Sequence, residues 1–109
     1  MIFEIEISNQ AEKDLRNIYE YIAFELKSPQ NAMGQLKRLE ESIQSLNQMP
    51  ERFREYKNEP WHSLGLRSMP VDNYCIFYII NKDKCLVSIV RIMYGGRNVD
   101  EILKKYTGV

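Results

Sequence analysis

Residues Phe3-Glu4-Ile5-Glu6-Ile7 alternate strictly between apolar and acidic side chains. Phe3, Ile5 and Ile7 share one face and Glu4 and Glu6 the other, which predicts a strand over 2–7 with one buried face. The period then changes. Ala11, Leu15, Ile18, Ile22 and Leu26 recur at spacings of four and three, the stripe of a helix over 9–27. Ser8 or Asn9 suits its N-cap, and Glu12 lies in the first turn, where a carboxylate faces the positive end of the helix dipole. Ser28-Pro29 stops and restarts the pattern, because proline fits the first position of a helix. A second stripe at Ala32, Leu36, Leu39, Ile43 and Leu46 predicts a helix over 29–48 that ends before Pro50. A link of about three residues folds the two helices back as an antiparallel hairpin.

The stretch from Glu51 to Ser63 is polar, aromatic and irregular, and reads as a loop pinned to the core by Phe53, Tyr56 and Trp61. Three strand-like segments follow, at 64–71, 74–81 and 85–94. Asp72-Asn73 marks the first turn between them and Asn81 to Lys84 the second, so the three form an antiparallel meander. Pro70 has no backbone N–H to give a ladder, which places its segment at an edge or ends it early. Gly95-Gly96 breaks the last strand, and Asn98 suits the cap of a short helix over 99–106. The order β-α-α-β-β-β describes one α+β domain over 1–109: an N-terminal strand, then a helical hairpin packed on a small antiparallel sheet, with a short C-terminal helix.

The central strand is apolar on both faces, with Tyr74, Ile76, Tyr78 and Ile80 on one and Cys75, Phe77 and Ile79 on the other. Both faces are therefore covered. The hairpin covers one; the loop, the terminal segment or a partner covers the other.

Composition narrows the function without naming it. The chain has 109 residues, 44% hydrophobic and 28% charged, the balance of an ordinary globular domain. Fifteen basic residues meet fifteen acidic ones. A net charge of zero argues against a protein that lives by non-specific phosphate contacts. No apolar run approaches the roughly 20 residues that span a bilayer. The N-terminus has no basic start and no apolar core of a signal, so the expected location is the cytoplasm and no membrane partner is expected. One histidine and two cysteines make no ordinary zinc site, and no phosphate-binding glycine loop or nucleophile elbow occurs. No metal and no cofactor are expected. Cys75 and Cys85 fall too far apart in a hairpin to reach disulfide distance, which predicts two free, mostly buried thiols. His62 sits beside Trp61 in the loop and reads as a structural or surface residue.

The arginines carry more. Arg67 and Arg91 fall inside strands and Arg97 just after Gly95-Gly96. A strand arginine needs solvent, a carboxylate or a ligand, because a buried unpaired guanidinium is costly. Together the three mark a candidate polar binding face, with Tyr94 at the strand end and Trp61 as an anchor of the core or of an interface.

Several stretches in order resemble the RelE/ParE superfamily, toxins of bacterial type II toxin–antitoxin systems. They are Ala11 with Asp14-Leu15, Ile18 and Tyr21-Ile22; then Leu66-Arg67, Val71 and Tyr74-Cys75-Ile76-Phe77-Tyr78; then Ile89 to Arg97. The resemblance covers nearly the whole chain. It implies a growth-arresting toxin neutralised by a cognate antitoxin, which would bind near Tyr74–Ile80 and the helices. RelE-like members cut messenger RNA on the ribosome, and ParE-like members poison DNA gyrase. RelE-like nucleases place a basic residue directly after the central-strand tyrosine, where this chain has Cys75, and Tyr94 sits where ParE-like toxins often carry a histidine. The neutral charge and the long hairpin resemble the ParE-like branch. On that reading Arg97, Arg91, Tyr94, Arg67 and Trp61 contact the target. On the nuclease reading Arg67, Arg91, Tyr94 and Arg97 are the catalytic candidates. A non-toxic interaction domain of the same fold stands beside both, so whether the chain is an enzyme stays open at this point.

Overall fold

A computed structural model describes residues 1–95 together with Val99 and Leu103. The chain runs β1 (Glu4–Ile7), α1 (Asn9–Glu20), a π-helical turn (Tyr21–Glu25), α2 (Pro29–Gln44), two short 3₁₀ turns (Ser45–Asn47 and Pro50–Arg52), β2 (Arg54–Glu55), β3 (Leu66–Val71), β4 (Tyr74–Asn81) and β5 (Leu86–Tyr94). The α+β order agrees with the sequence pattern. The predicted C-terminal helix over 99–106 falls largely outside the described residues.

β3, β4 and β5 form the expected antiparallel meander, and β1 and β2 extend it. Among the described residues the sheet has five strands, in the order β1-β5-β4-β3-β2, and it is mixed. β1 runs parallel to β5, with Glu4 opposite Leu86 and Ile7 opposite Ile89. A parallel neighbour requires a long crossover, and α1 with α2 supplies it. The fifth strand comes from the segment read as a loop: Arg54 and Glu55 pair with Ser68 and Arg67. Two charged residues carry no strand period, so this pairing left no trace in the pattern. Pro70 lies beyond the reach of β2, where β3 is locally an edge and the missing N–H costs nothing.

α1 starts on Ser8, whose hydroxyl accepts from the Ala11 N–H at 3.0 Å. The helix then widens. The Leu26 N–H reaches Tyr21 O at 3.1 Å, five residues back, and Lys27 turns left-handed with φ 52°. This extra residue in the turn rotates Leu26 off the apolar stripe, so it is exposed rather than buried as its spacing predicted. α2 begins at Pro29 and packs against α1, forming the expected hairpin.

The helices cover one face of the sheet. Ala11, Leu15, Leu39, Ile43 and Leu46 meet Met69, Ile76, Tyr78, Val87, Ile89 and Ile92. On the other face Trp61, Leu66, Phe77, Met93 and Leu103 form a second core, joined by Tyr56, Cys75, Ile79 and Val99. The 51–63 segment is pinned by the three expected aromatics: Trp61 and Tyr56 join this core, with the Tyr56 ring edge-on to Phe77 at 5.9 Å, and Phe53 packs against the first. Gly65 makes the loop's exit into β3, at a φ of 81° that a side chain would resist. The middle of β4, where a partner was expected to cover apolar surface, is covered by the chain itself: Ile76, Phe77 and Tyr78 are all buried.

Cys75 and Cys85 are free and half-buried. Cys75 pairs with Met93, eight residues beyond Cys85 along β5, which keeps the two thiols apart as expected.

Candidate functional site

β4 and β5 end on the Tyr74–Tyr94 rung. The two rings meet edge to face at 5.8 Å, and Tyr94 is half-exposed. The two-residue turn Asp72-Asn73 folds over this end, and the Gly95 N–H donates to Asn73 O at 2.9 Å. An open cleft of about 310 Å³ results, lined by Pro70, Asp72, Asn73, Tyr74, Cys75, Tyr94 and Gly95.

The turn is held from outside the sheet. Asp72 has φ 55°, a left-handed conformation that aspartate tolerates better than most residues. Its carboxylate accepts from Arg38 Nε at 2.8 Å and Gln35 Nε2 at 2.9 Å, both on α2. These two bonds hold the Asp72 carboxyl below its ordinary range. Burial pushes the Cys75 thiol up, so it stays protonated at neutral pH and supplies no charge to the cleft.

The candidate arginines do not converge on this cleft. Arg91 is 6% exposed and turned to the helix side. Its Nε and Nη2 donate to the two carboxylate oxygens of Asp14 at 2.8 and 2.9 Å. Of the three solutions open to a strand arginine, it takes the carboxylate. Arg67 sits opposite Tyr78, four rungs from the Tyr74 end, which is about 13 Å at ~3.3 Å per residue. Its guanidinium donates to Phe53 O at 2.7 Å, Glu51 O at 3.1 Å and the Glu55 carboxylate at 3.1 Å, so it ties β2 to β3. Trp61 is 4% exposed inside the second core. Tyr94 lines the cleft. Arg97 lies outside the described residues. His62 is exposed, with Nδ1 2.9 Å from Tyr56 O inside the loop. Among the described residues no group of His, Cys, Asp or Glu gathers to hold a metal, and no helix is long and apolar enough to cross a membrane.

A second concavity, about 530 Å³, lies between the helices and is lined by Tyr19, Met33, Gly34, Leu36, Lys37 and Glu40. The same hairpin exposes Tyr21, Phe24, Leu26 and Met33, with Phe24 at 70%.

Sequence reasoning missed Ser8, Asp14, Gln35, Arg38 and Asp72 as residues that shape the site. Asp14 had a signal. It falls three residues after Ala11, beside the apolar stripe, and a carboxylate there needs a buried cation. The others are ordinary surface types whose partners lie 34 to 82 residues away.

The family model of the ParE toxin of type II toxin–antitoxin systems matches residues 5–99. The chain belongs to the ParE toxin family. A chromosomal ParDE system from P. aeruginosa has the same fold, with a TM-score of 0.69 at 20% identity over 85% of this chain and 96% of that one. A RelBE toxin–antitoxin complex from Mycobacterium tuberculosis gives 0.61 at 18%, over 86% and 92%. An E. coli RelE toxin mutant in the free state gives 0.63 at 14%, over 97% and 99%. No curated protein sequence matches. As a ParE-family member the chain is the toxin component of a type II toxin–antitoxin system. Structures at such low identity carry the fold of the ParE and RelE branches alike.

Proposed function

We propose that this ParE-family toxin arrests growth by binding DNA gyrase through the Tyr94 end of β5, without cutting messenger RNA. One observation carries this reading: the strand arginines are consumed within the fold. Phosphodiester cleavage needs positive groups around the phosphate and a proton-transfer pair. Arg91 is buried against Asp14, Arg67 is tied to backbone carbonyls and Glu55, and Cys75 is a neutral thiol. Among the described residues the cleft is lined by no basic side chain. A binding toxin needs only a shaped surface, and the Tyr74–Tyr94 pair with the braced turn supplies one. Arg97, three residues after Tyr94, is assigned to target contact.

The partner in this reading is a cognate antitoxin, as the assemblies named for the similar ParDE and RelBE structures support. The exposed apolar hairpin and its interhelical groove suit an amphipathic segment of that partner.

The deciding experiment is toxin induction without antitoxin, followed by primer extension on cellular messages and by an assay for gyrase-linked double-strand breaks. The expected result is intact messages with accumulating breaks, and relief of both arrest and breaks by Arg97→Ala. Cys75→Ser is expected to leave both unchanged. Codon-phased cuts inside translated regions, abolished by Arg97→Ala, would overturn the gyrase reading in favour of the nuclease.

A further inference from the structure

β5 does not pair evenly with β4. Tyr78 lies opposite Ile89, but Phe77 lies opposite Arg91, so Val90 is inserted as a bulge. The bulge explains how Ile89 and Ile92, three residues apart, join the same core. It also sets everything beyond it. A register moved by one residue exchanges the faces of a strand. Without Val90's insertion, Tyr94 would come opposite Asn73 rather than Tyr74, and the aromatic pair at the cleft would not form.

An inserted residue interrupts the ladder around it. Here the bulge is bonded from α1. The Ser8 hydroxyl donates to Val90 O at 3.0 Å, and the Ser8 N–H to Ile89 O at 3.1 Å. Asp14 Oδ2 accepts the Ile92 N–H at 2.9 Å while the same carboxylate holds the Arg91 guanidinium. Gln10 adds a longer contact to Asp14 at 3.4 Å. Because Ser8 Oγ also caps Ala11, the start of α1 and the bulge share an atom.

We infer that Ser8 and Asp14 are positioning residues of the toxin: they fix the β5 bulge and, through it, the face and direction in which Tyr94 is presented to the target. The inference rests on the Tyr94 end being the target-facing surface. Bulges are enriched next to functional sites, where they re-aim a side chain. A buried ion pair is seldom needed for stability alone, since apolar residues of similar volume often replace one without loss.

The test separates aiming from stability. Ser8→Asp keeps an N-cap acceptor for Ala11 but has no proton to donate to Val90 O. Asp14→Leu with Arg91→Met replaces the ion pair by apolar volume and removes the acceptor of the Ile92 N–H. Each variant is read by thermal unfolding, by growth arrest in cells and by the nuclear Overhauser contact between the Tyr74 and Tyr94 rings. The expected result for Ser8→Asp is a melting temperature within about 4 °C of the parent, a weakened ring contact and about a tenfold loss of toxic potency. The double variant is expected to lose the ring contact and the toxicity while still unfolding cooperatively. A folded variant that keeps both ring contact and toxicity overturns the inference. If the double variant does not fold, Ser8→Asp decides alone. Should the parent arrest growth by cutting messages, the gyrase reading fails while these variants still decide the aiming. Should the parent not arrest growth, the ring contact decides: its loss supports the inference and its retention overturns it.

Discussion

Tyr78 is fully buried, and its hydroxyl donates to Pro50 O at 2.7 Å. Burial pushes its pKa up from 10.0 to about 12. The folded chain therefore holds this proton over a range in which the unfolded chain releases it. Stability from Tyr78 is complete below pH 10 and declines as pH rises from about 10 to about 12. Tyr78→Phe should flatten that decline in a denaturation series between pH 9 and 12, and at neutral pH cost about 1–2 kcal/mol for the lost bond and the carbonyl left behind. An unchanged alkaline limb would show that another group governs it. Trp61 makes a second residue-scale case. The sequence left it as either a core anchor or a target contact, and the structure buries it. Trp61→Ala should cost about 3–5 kcal/mol in urea unfolding. A loss of toxicity with no loss of stability would return Trp61 to the target surface. Arg91 shows why single residues mislead. Its position in a strand was legible, and so was its need for a partner, but the choice of Asp14 depends on a contact across 77 residues that no local spacing encodes.

At the scale of elements, the hairpin and the three-strand meander were readable because each has a clean period and a turn signal. The boundaries that shifted did so for physical reasons. The π-helical turn at Tyr21–Glu25 keeps a helical look in sequence while rotating Leu26 outward. β2 is two charged residues paired only through their backbones. The β5 bulge hides inside an unbroken apolar run. The hairpin's outer face carries its own prediction. Phe24 and Met33 are 70% and 64% exposed, so changing both to serine should move stability by no more than about 0.5 kcal/mol each. If the antitoxin docks there, the same double change should weaken the complex by about tenfold, near 1.4 kcal/mol, in a calorimetric titration. An unaltered affinity would move the antitoxin to another face.

For the molecule as a whole, the order of strands matters more than any one contact. β1 precedes every other described element, yet its partner is β5, and Ser8 stands 82 positions before the Val90 carbonyl it binds. Helices can form as they are synthesised, but the sheet they rest on cannot close until β5 has been added. Non-local pairing of this kind folds slowly compared with helical neighbours. A chain stopped after Asn81 would contain both helices and four strands but no cooperative unfolding transition, and circular dichroism during a thermal ramp would check this. A sharp transition in that fragment would show that β1 finds another partner. For a cell that makes its own poison, the topology works as a delay. Tyr94 acquires its place only when the strand that carries it has been made, so on the proposed reading a chain still lacking β5 has no target-facing end to present.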